Sequence, residues 1–362
     1  VNLLVSIVCV AAGILLVLAA LNDIFQSAIV PRATGRKLRP SYYLWRFMWS
    51  WWPPLSWKRF PAESDRREDL LAVFAPMMLV LMLALWVVLL VFGYGLIFWG
   101  LRDGFAPDMR SFGTLLYFAG SSVFTIGFGD VVARTAGPRF FSVCAGLSGI
   151  SLLGITTAFL FSIFGSFQRR ETFVVTVAAR AGTPPSGVNL LAIAGYAMTR
   201  DDLPRLMIDG QHWAAQVMES HLAYPVLAYF RSSHDEQSWV GTLGTMLDAA
   251  TLQMTTVDGQ RDGQARIFYN VGRHAAHDLA RYFRLGEGHE DVGIERGEFD
   301  QACDRLEKAG YQLIDRDQAW TQFAELRSGY ATHLNGLARF FEIAPIAWIG
   351  DRSSITLTSP HH

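Results

Sequence analysis

Charge is scarce in this chain: Asp, Glu, Lys and Arg make up 17% of it, against roughly 25% in soluble domains. The deficit points to a membrane protein, and its location sharpens the point. Residues 1–168 hold nearly all the long apolar runs, whereas the remainder reads as soluble sequence. The net charge of −1 leaves no bulk field that would favour nucleic acid as a partner. Cysteine is scarce too. Cys9, Cys144 and Cys303 have no metal or redox spacing, and an odd count argues against a disulfide framework, so they read as small buried hydrophobes. No apolar segment carries a ladder of arginines, which argues against a voltage sensor. No glycine fingerprint follows a strand pattern, so no dinucleotide fold is expected. Internal repeats are lacking as well. The terminal His361-His362 pair is set aside as a processing remnant.

Long apolar runs are what the chain does have. Leu3 to Leu21 contains no charge and matches the roughly 20 residues a helix needs to cross a bilayer. The bases follow this run (Arg32, Arg36, Lys37, Arg39), the reverse of a signal peptide, so a retained span is expected. Asn22 and Asp23 close the run near the interface, where a carboxylate costs less. Residues 31–67 form a basic connector with nine Lys or Arg and a dense aromatic stretch over 41–52. Two readings stand open for that stretch: a helix on the inner leaflet, or an aromatic plug between membrane helices. A second span is expected over about Leu70–Leu101, with Pro76 in its first turns. Phe112 to Phe124 is apolar but too short to span, with Ser111 as N-cap. A third long apolar run covers Phe140 to Phe167. Three spans and the flanking bases place the N-terminus outside and the C-terminal region in the cytoplasm.

Beyond residue 170 the pattern is helical. Thr183 to Gly187 is a breaker. Helices are expected near 188–199, 201–230 (kinked at Pro225), 235–257, 263–285, 297–310 and 316–342, with Asp201, Asp235 and Asp262 as start signals. Leu306, Leu313, Phe323, Leu326, Leu334, Leu337 and Phe341 give apolar faces. His274 and His277 lie beside Asp278, while His212 and His221 stand isolated; two histidines without a third ligand read as surface or capping groups. The acidic run from Glu287 to Glu298 lacks calcium-loop spacing.

Between the half-length apolar helix and the last span stands Thr125-Ile126-Gly127-Phe128-Gly129-Asp130. Successive carbonyls aim along one axis only if neighbouring residues alternate in backbone hand, and glycine takes positive φ cheaply. Gly127 and Gly129 sit at alternating positions, and Thr125 can add a ring of hydroxyls. Four such strands around an axis would replace the hydration shell of a monovalent cation, as the TVGYG loops of potassium filters do. The preceding helix would point its partly negative C-terminal end at the cavity.

On these residues the sequence resembles the prokaryotic two-transmembrane pore-loop potassium channels, over about residues 70–168. The resemblance implies that Thr125, Ile126, Gly127 and Phe128 supply filter carbonyls and that Asp130 stands behind the outer mouth. It further implies that Gly149 is the inner-helix hinge, Gly154 a second flexible point, and Ile150, Leu153, Thr157 and Phe161 the pore-facing side. Ser121 stands where many members carry a glutamate, Phe128 where they carry a tyrosine, and Tyr117-Phe118 where a tryptophan pair is common. A ring of Phe161 side chains could close the pore by dewetting, while Phe164 is expected to pack.

The expected fold is an all-α membrane protein: three transmembrane helices, a re-entrant pore helix and filter, then a helical cytosolic domain. The expected divisions are 1–30 (first span), 31–69 (connector), 70–168 (pore domain), 169–187 (linker) and 188–360 (cytosolic domain). One filter strand per chain cannot close a ring, so a homotetramer in membrane lipid is expected, with K+ as permeant ion, no cofactor, no nucleic acid and no enzymatic role. Two other readings stay open: the ion-translocating subunit of a potassium transporter, or a membrane-anchored sensor with a non-selective cation pore.

Overall fold

A computed structural model describes residues 3–30, 39–59, 65–108, 111–182, 184–234, 237–259, 263–285, 293–343, 346 and 348. The chain divides into two compact units, Val1–Phe164 and Gly165–His362. It is an all-α membrane protein. Three helices are long and apolar enough to cross a membrane, and the strand content among the described residues is two residue pairs and one isolated bridge.

In the first unit, α1 (Leu3–Ala28) lies along α3 (Asp65–Gly100). The two backbones approach so closely that a Cβ on Gly13 would stand 2.5 Å from the Gly93 carbonyl oxygen. Such contact is how membrane helices gain dispersion energy where lipid removes the hydrophobic drive. The polar start of α3 extends it upstream of the expected bound, so Pro76 falls well inside the helix rather than in its first turns.

The connector contains α2 (Pro40–Arg59). Trp45, Trp49 and Trp52 pack around Phe74 of α3, with ring centroids 4.8–5.7 Å away. Tyr43, Phe47 and Trp51, one helical face, remain exposed. One face of the helix thus packs against α3, and the other is open in a single chain. Its anchor is Asp23, which is fully buried in the folded chain. Its carboxylate accepts from Ser41 N (3.0 Å), Ser41 Oγ (2.7 Å) and Trp86 Nε1 (2.9 Å), with Arg39 Nε at 3.8 Å. One side chain thus ties α1, α2 and α3 together, and its donors satisfy a charge that burial would otherwise penalise.

α4 (Phe112–Val123) is the short apolar helix, and Ser111 caps it by accepting from Gly113 N at 3.2 Å. Strands β1 (Phe105–Ala106) and β2 (Val132–Ala133) pair antiparallel and clip together the loops on either side of it. α5 (Ala136–Ala181) has 46 residues, about 69 Å at the α-helical rise and more than twice a bilayer core. Residues 169–181, expected within a linker, are its continuation. They stay helical because Val174, Val177, Ala178 and Ala181 bury an apolar face.

In the second unit α8 (Trp239–Thr255) runs through the centre, buried on nearly every side. Around it stand α6 (Gly187–Tyr196), α7 (Leu203–Ala223), α9 (Gly263–Phe283), α10 (Arg296–Lys308) and α11 (Arg316–Phe340). Two expectations are corrected. Asp201 lies in a 3-10 turn, Arg200–Asp202, and caps nothing. The long helix over 201–230 is not kinked at Pro225 but ends at Ala223, and a 3-10 turn over Pro225–Tyr229 follows; proline cannot continue the ladder. Asp235 and Asp262 lie outside the described residues, as does the first half of the acidic run. Ser238 caps α8 instead. Asp248, inside the core, accepts from Arg327 Nε at 3.0 Å and Tyr330 Oη at 2.7 Å. Burial holds its carboxyl above the usual range despite both partners. Of the apolar residues singled out in the sequence, Leu306, Phe323, Leu334, Leu337 and Phe341 are buried, and Leu313 and Leu326 half-buried.

Asp23→Ala leaves the Ser41 and Trp86 donors unpaired, at a cost of about 2–4 kcal/mol. Asp23→Asn keeps an acceptor and costs less. Thermal unfolding of the detergent-solubilised protein should place the two variants in that order below wild type.

Candidate functional site

The segment after α4 turns on hydrogen bonds that run backwards. Phe124 N donates to Gly120 O (2.9 Å), Thr125 N to Ser122 O (3.1 Å) and Ile126 N to Ser121 O (2.8 Å). Gly127 N then reaches the Ser121 hydroxyl at 3.1 Å. The amides are thus tied to the end of α4. No hydrogen bond among the described residues ends on the carbonyls of residues 125–129.

The backbone alternates in hand. Thr125 has φ 56°, Gly127 φ 63° and Gly129 φ 81°, whereas Ile126 and Phe128 are not in the positive range. Positive φ on a β-branched residue is strained. The sequence pointed to the two glycines but gave no sign that Thr125 shares their conformation.

Aromatic contact braces the outer half. Tyr117 stacks on Phe128, with centroids 5.7 Å apart and planes at 12°. Its hydroxyl lies near the Asp130 carboxylate, and Asp130 Oδ1 accepts from Val131 N at 3.1 Å. Ser121, Tyr117 and Asp130 therefore converge on the glycine-bearing turn. In a single chain the turn itself is open: Phe124, Ile126 and Phe128 are 56–62% exposed.

The last span meets this site at Gly149. A Cβ there would overlap the Val123 carbonyl at the end of α4, so the glycine is required for close approach. α5 is helical through both Gly149 and Gly154, and nothing lies near Gly154. One residue earlier, Ser148 Oγ donates to the Cys144 carbonyl and meets Tyr94 Oη of α3, each at 2.8 Å, a contact not foreseen from sequence. Ile150, Leu153, Thr157 and Phe161 are all exposed along one face of α5, with Leu153 at 70% and Phe161 at 76%. The Thr157 hydroxyl turns back to the Leu153 carbonyl at 2.8 Å. Phe164 is 46% exposed.

Two spans enclosing a half-length helix and an irregular glycine-bearing turn make a pore loop, the arrangement in which non-helical backbone is tolerated at membrane depth. Residues 77–166, from α3 through α5, match the family model described as "Ion channel". Through this stretch the chain is similar to ion channels of the two-transmembrane pore-loop kind. It is also similar to the uncharacterized membrane protein YdjJ of Bacillus subtilis (strain 168). The two are 20% identical over 200 residues, which is 54% of this chain and 58% of YdjJ. The chain thus spans little more than half the length of that relative. No solved structure matches it significantly.

Among the histidines, His274 and His277 meet Asp278 at 3.4 and 3.2 Å, and His277 packs edge-on against His333. No group of three metal-ligating side chains suited to an ion occurs among the described residues. His221 is not isolated, as the sequence suggested. It is 1% exposed, with Nε2 3.3 Å from Arg170 Nη1. Burial and that guanidinium hold its imidazole well below the usual range. Cys303 is buried, and burial pushes its thiol up to about 12, as befits an inert packing residue.

Gly149→Ala forces α5 away from α4, and overpacking of this kind costs about 1–3 kcal/mol. Ion flux into liposomes should fall about tenfold, the equivalent of ~1.4 kcal/mol. Gly154→Ala, with no neighbour to displace, should stay within about twofold.

Proposed function

We propose that four copies of this chain form a potassium-selective channel, in which Thr125, Ile126, Gly127 and Phe128 present rings of carbonyl oxygens to dehydrated K+ and Thr125 adds its hydroxyl. The observation that carries this reading is the alternation of backbone hand at residues 125, 127 and 129, together with amides tied back to α4 and carbonyls left free. A dehydrated monovalent cation needs oxygen ligands of that kind. The exposure of Phe124, Ile126 and Phe128 in one chain supports assembly, because further copies around the turn would cover these side chains.

Asp130 and Tyr117 brace the outer mouth, and Ser121 holds the Gly127 amide from behind. This network takes the place of the glutamate and the tyrosine hydroxyl found in many relatives of the pattern. The exposed face of α5 lines the cavity, and Phe161 forms the closing ring. The flanking bases put the N-terminus outside and the second unit in the cytoplasm. The single complete motif favours a channel over a transporter subunit with several weaker loops in one chain.

In planar bilayers with mixed K+ and Na+, the wild-type reversal potential should follow the K+ gradient. Gly127→Ala puts a Cβ on a residue at φ 63°, which costs about 1 kcal/mol or more per subunit. Four strained copies should abolish K+ current. Full current from the variant, or a wild-type potential indifferent to the K+ gradient, overturns the filter assignment.

A further inference from the structure

The last part of α5 belongs to the second unit, and Arg170 there is 2% exposed. A guanidinium has five N–H donors, no acceptor and a permanent charge. Five contacts surround this one. Nε and Nη2 each reach Glu171 Oε1 at 2.9 Å. Nη1 donates to the Leu227 carbonyl at 2.8 Å and to His221 Nε2 at 3.3 Å. Nη2 donates to the Phe230 carbonyl at 2.8 Å. The Phe167 ring lies 5.1 Å from the guanidinium carbon. Trp213 of α7 donates its Nε1 to the Arg170 carbonyl at 3.1 Å and stacks on Phe173. α7 and the turn after it thus grip α5 at a single charged residue.

The socket fixes the state of His221. Because a guanidinium only donates, Nε2 must offer a bare lone pair, and the proton sits on Nδ1, beside Ser220 Oγ at 3.2 Å. The charged groups facing the ring come from α5: Arg170 and, behind it, Glu171. α8 presents the uncharged Trp239 ring at 4.9 Å. The turn over Pro225–Tyr229 contributes the Leu227 carbonyl to the socket, and the nearby Glu219 of α7 is itself exposed. Protonation at Nε2 would set cation against cation and remove the acceptor. Burial first, then Arg170, keeps the folded imidazole neutral well below its ordinary value of 6.5. A released histidine takes up its proton near that value. The grip is therefore at full strength above it and weakens as pH falls below it.

We propose that this socket is where the helical unit sets the position of the pore-lining helix, with Arg170 as positioning residue and neutral His221 as its acid-labile wall, so that channel opening depends on cytoplasmic pH. The proposal rests on the reading of α5 as pore-lining.

Single-channel recording of the full-length protein tests it, with the solution facing the second unit titrated. Between about pH 7.5 and 5, wild-type open probability should shift about threefold or more, the equivalent of half a pKa unit. His221→Asn, whose amide oxygen still accepts from Arg170 but does not titrate, should match wild type at neutral pH and stay flat on acidification. Arg170→Gln should resemble acidified wild type at every pH. Unitary conductance and reversal potential should not move in either variant. A flat wild type, a His221→Asn response equal to wild type, or an Arg170→Gln channel unlike the acidified one overturns the proposal. If Arg170→Gln fails to assemble, wild type and His221→Asn decide. Spin labels at residue 161, with the native cysteines replaced, read the inner-helix spacing between subunits without current. If wild type carries no current, the conduction reading has failed, and an acid-dependent label distance that His221→Asn removes, or its absence, decides this one.

Discussion

In the proposed filter the carbonyls of residues 125–128 must be free, while the amides that lead into it must be held. An extended strand inside a membrane normally loses on both counts, because nothing in lipid pairs with either group. Here the amides of Thr125, Ile126 and Gly127 fold back onto Ser122, Ser121 and the Ser121 hydroxyl. Strain at Thr125 accompanies this arrangement, and the end of α4 sustains it. A helix leaves its last carbonyls without internal partners, and it is those carbonyls that receive the amides of the turn. The shortness of α4 follows, since a full span would carry its C-terminus past the level where these acceptors are needed.

The surrounding parts answer to the same requirement. Gly149 lets α5 approach the end of α4, and Tyr94 meets Ser148 one residue away, so the last span is registered against both α3 and α4 at one level. Tyr117 stacks on Phe128, which steadies the far end of the strand. What one chain leaves exposed, the apolar face of the strand and the stripe from Ile150 to Phe161, has the character of core rather than surface. In the proposed assembly, further copies of the chain cover it.

Sequence made the membrane half legible because bilayer length is a hard ruler. The spans, the half-length helix and the Ser111 cap could be read from apolar runs and their punctuation. Gly127 and Gly129 were legible because few residues take positive φ, while Thr125 was not, since nothing in a threonine side chain announces that backbone. Bounds slipped where polar residues continue a helix beyond its apolar stretch, as at Asp65 and at Arg169 to Ala181. Pro225 was read as a kink and is a stop. Long-range polar pairs were invisible: Asp23 with Trp86, Asp248 with Arg327 and Arg170 with His221 lie 51 to 79 residues apart, and one sequence gives no sign of such meetings. The sequence therefore left both Asp23 and His221 without partners, when each is buried against one.

Arg170 and the proposed ion sites solve one problem in two ways. Each holds a cation away from bulk water by surrounding it with backbone carbonyls: Leu227 and Phe230 for the guanidinium, the 125–128 carbonyls for the ion. The difference lies in how permanent the charge is. Potassium must be bound loosely enough to leave, so its ligands are neutral dipoles alone. The guanidinium never leaves, so it can be matched with the Glu171 carboxylate, and what can change is the wall beside it. A buried ion pair adds little net stability over apolar packing, yet removing one partner is costly. Such a pair earns retention when the cost of breaking it is useful, and a neutral imidazole as one acceptor is the least expensive point at which to break it.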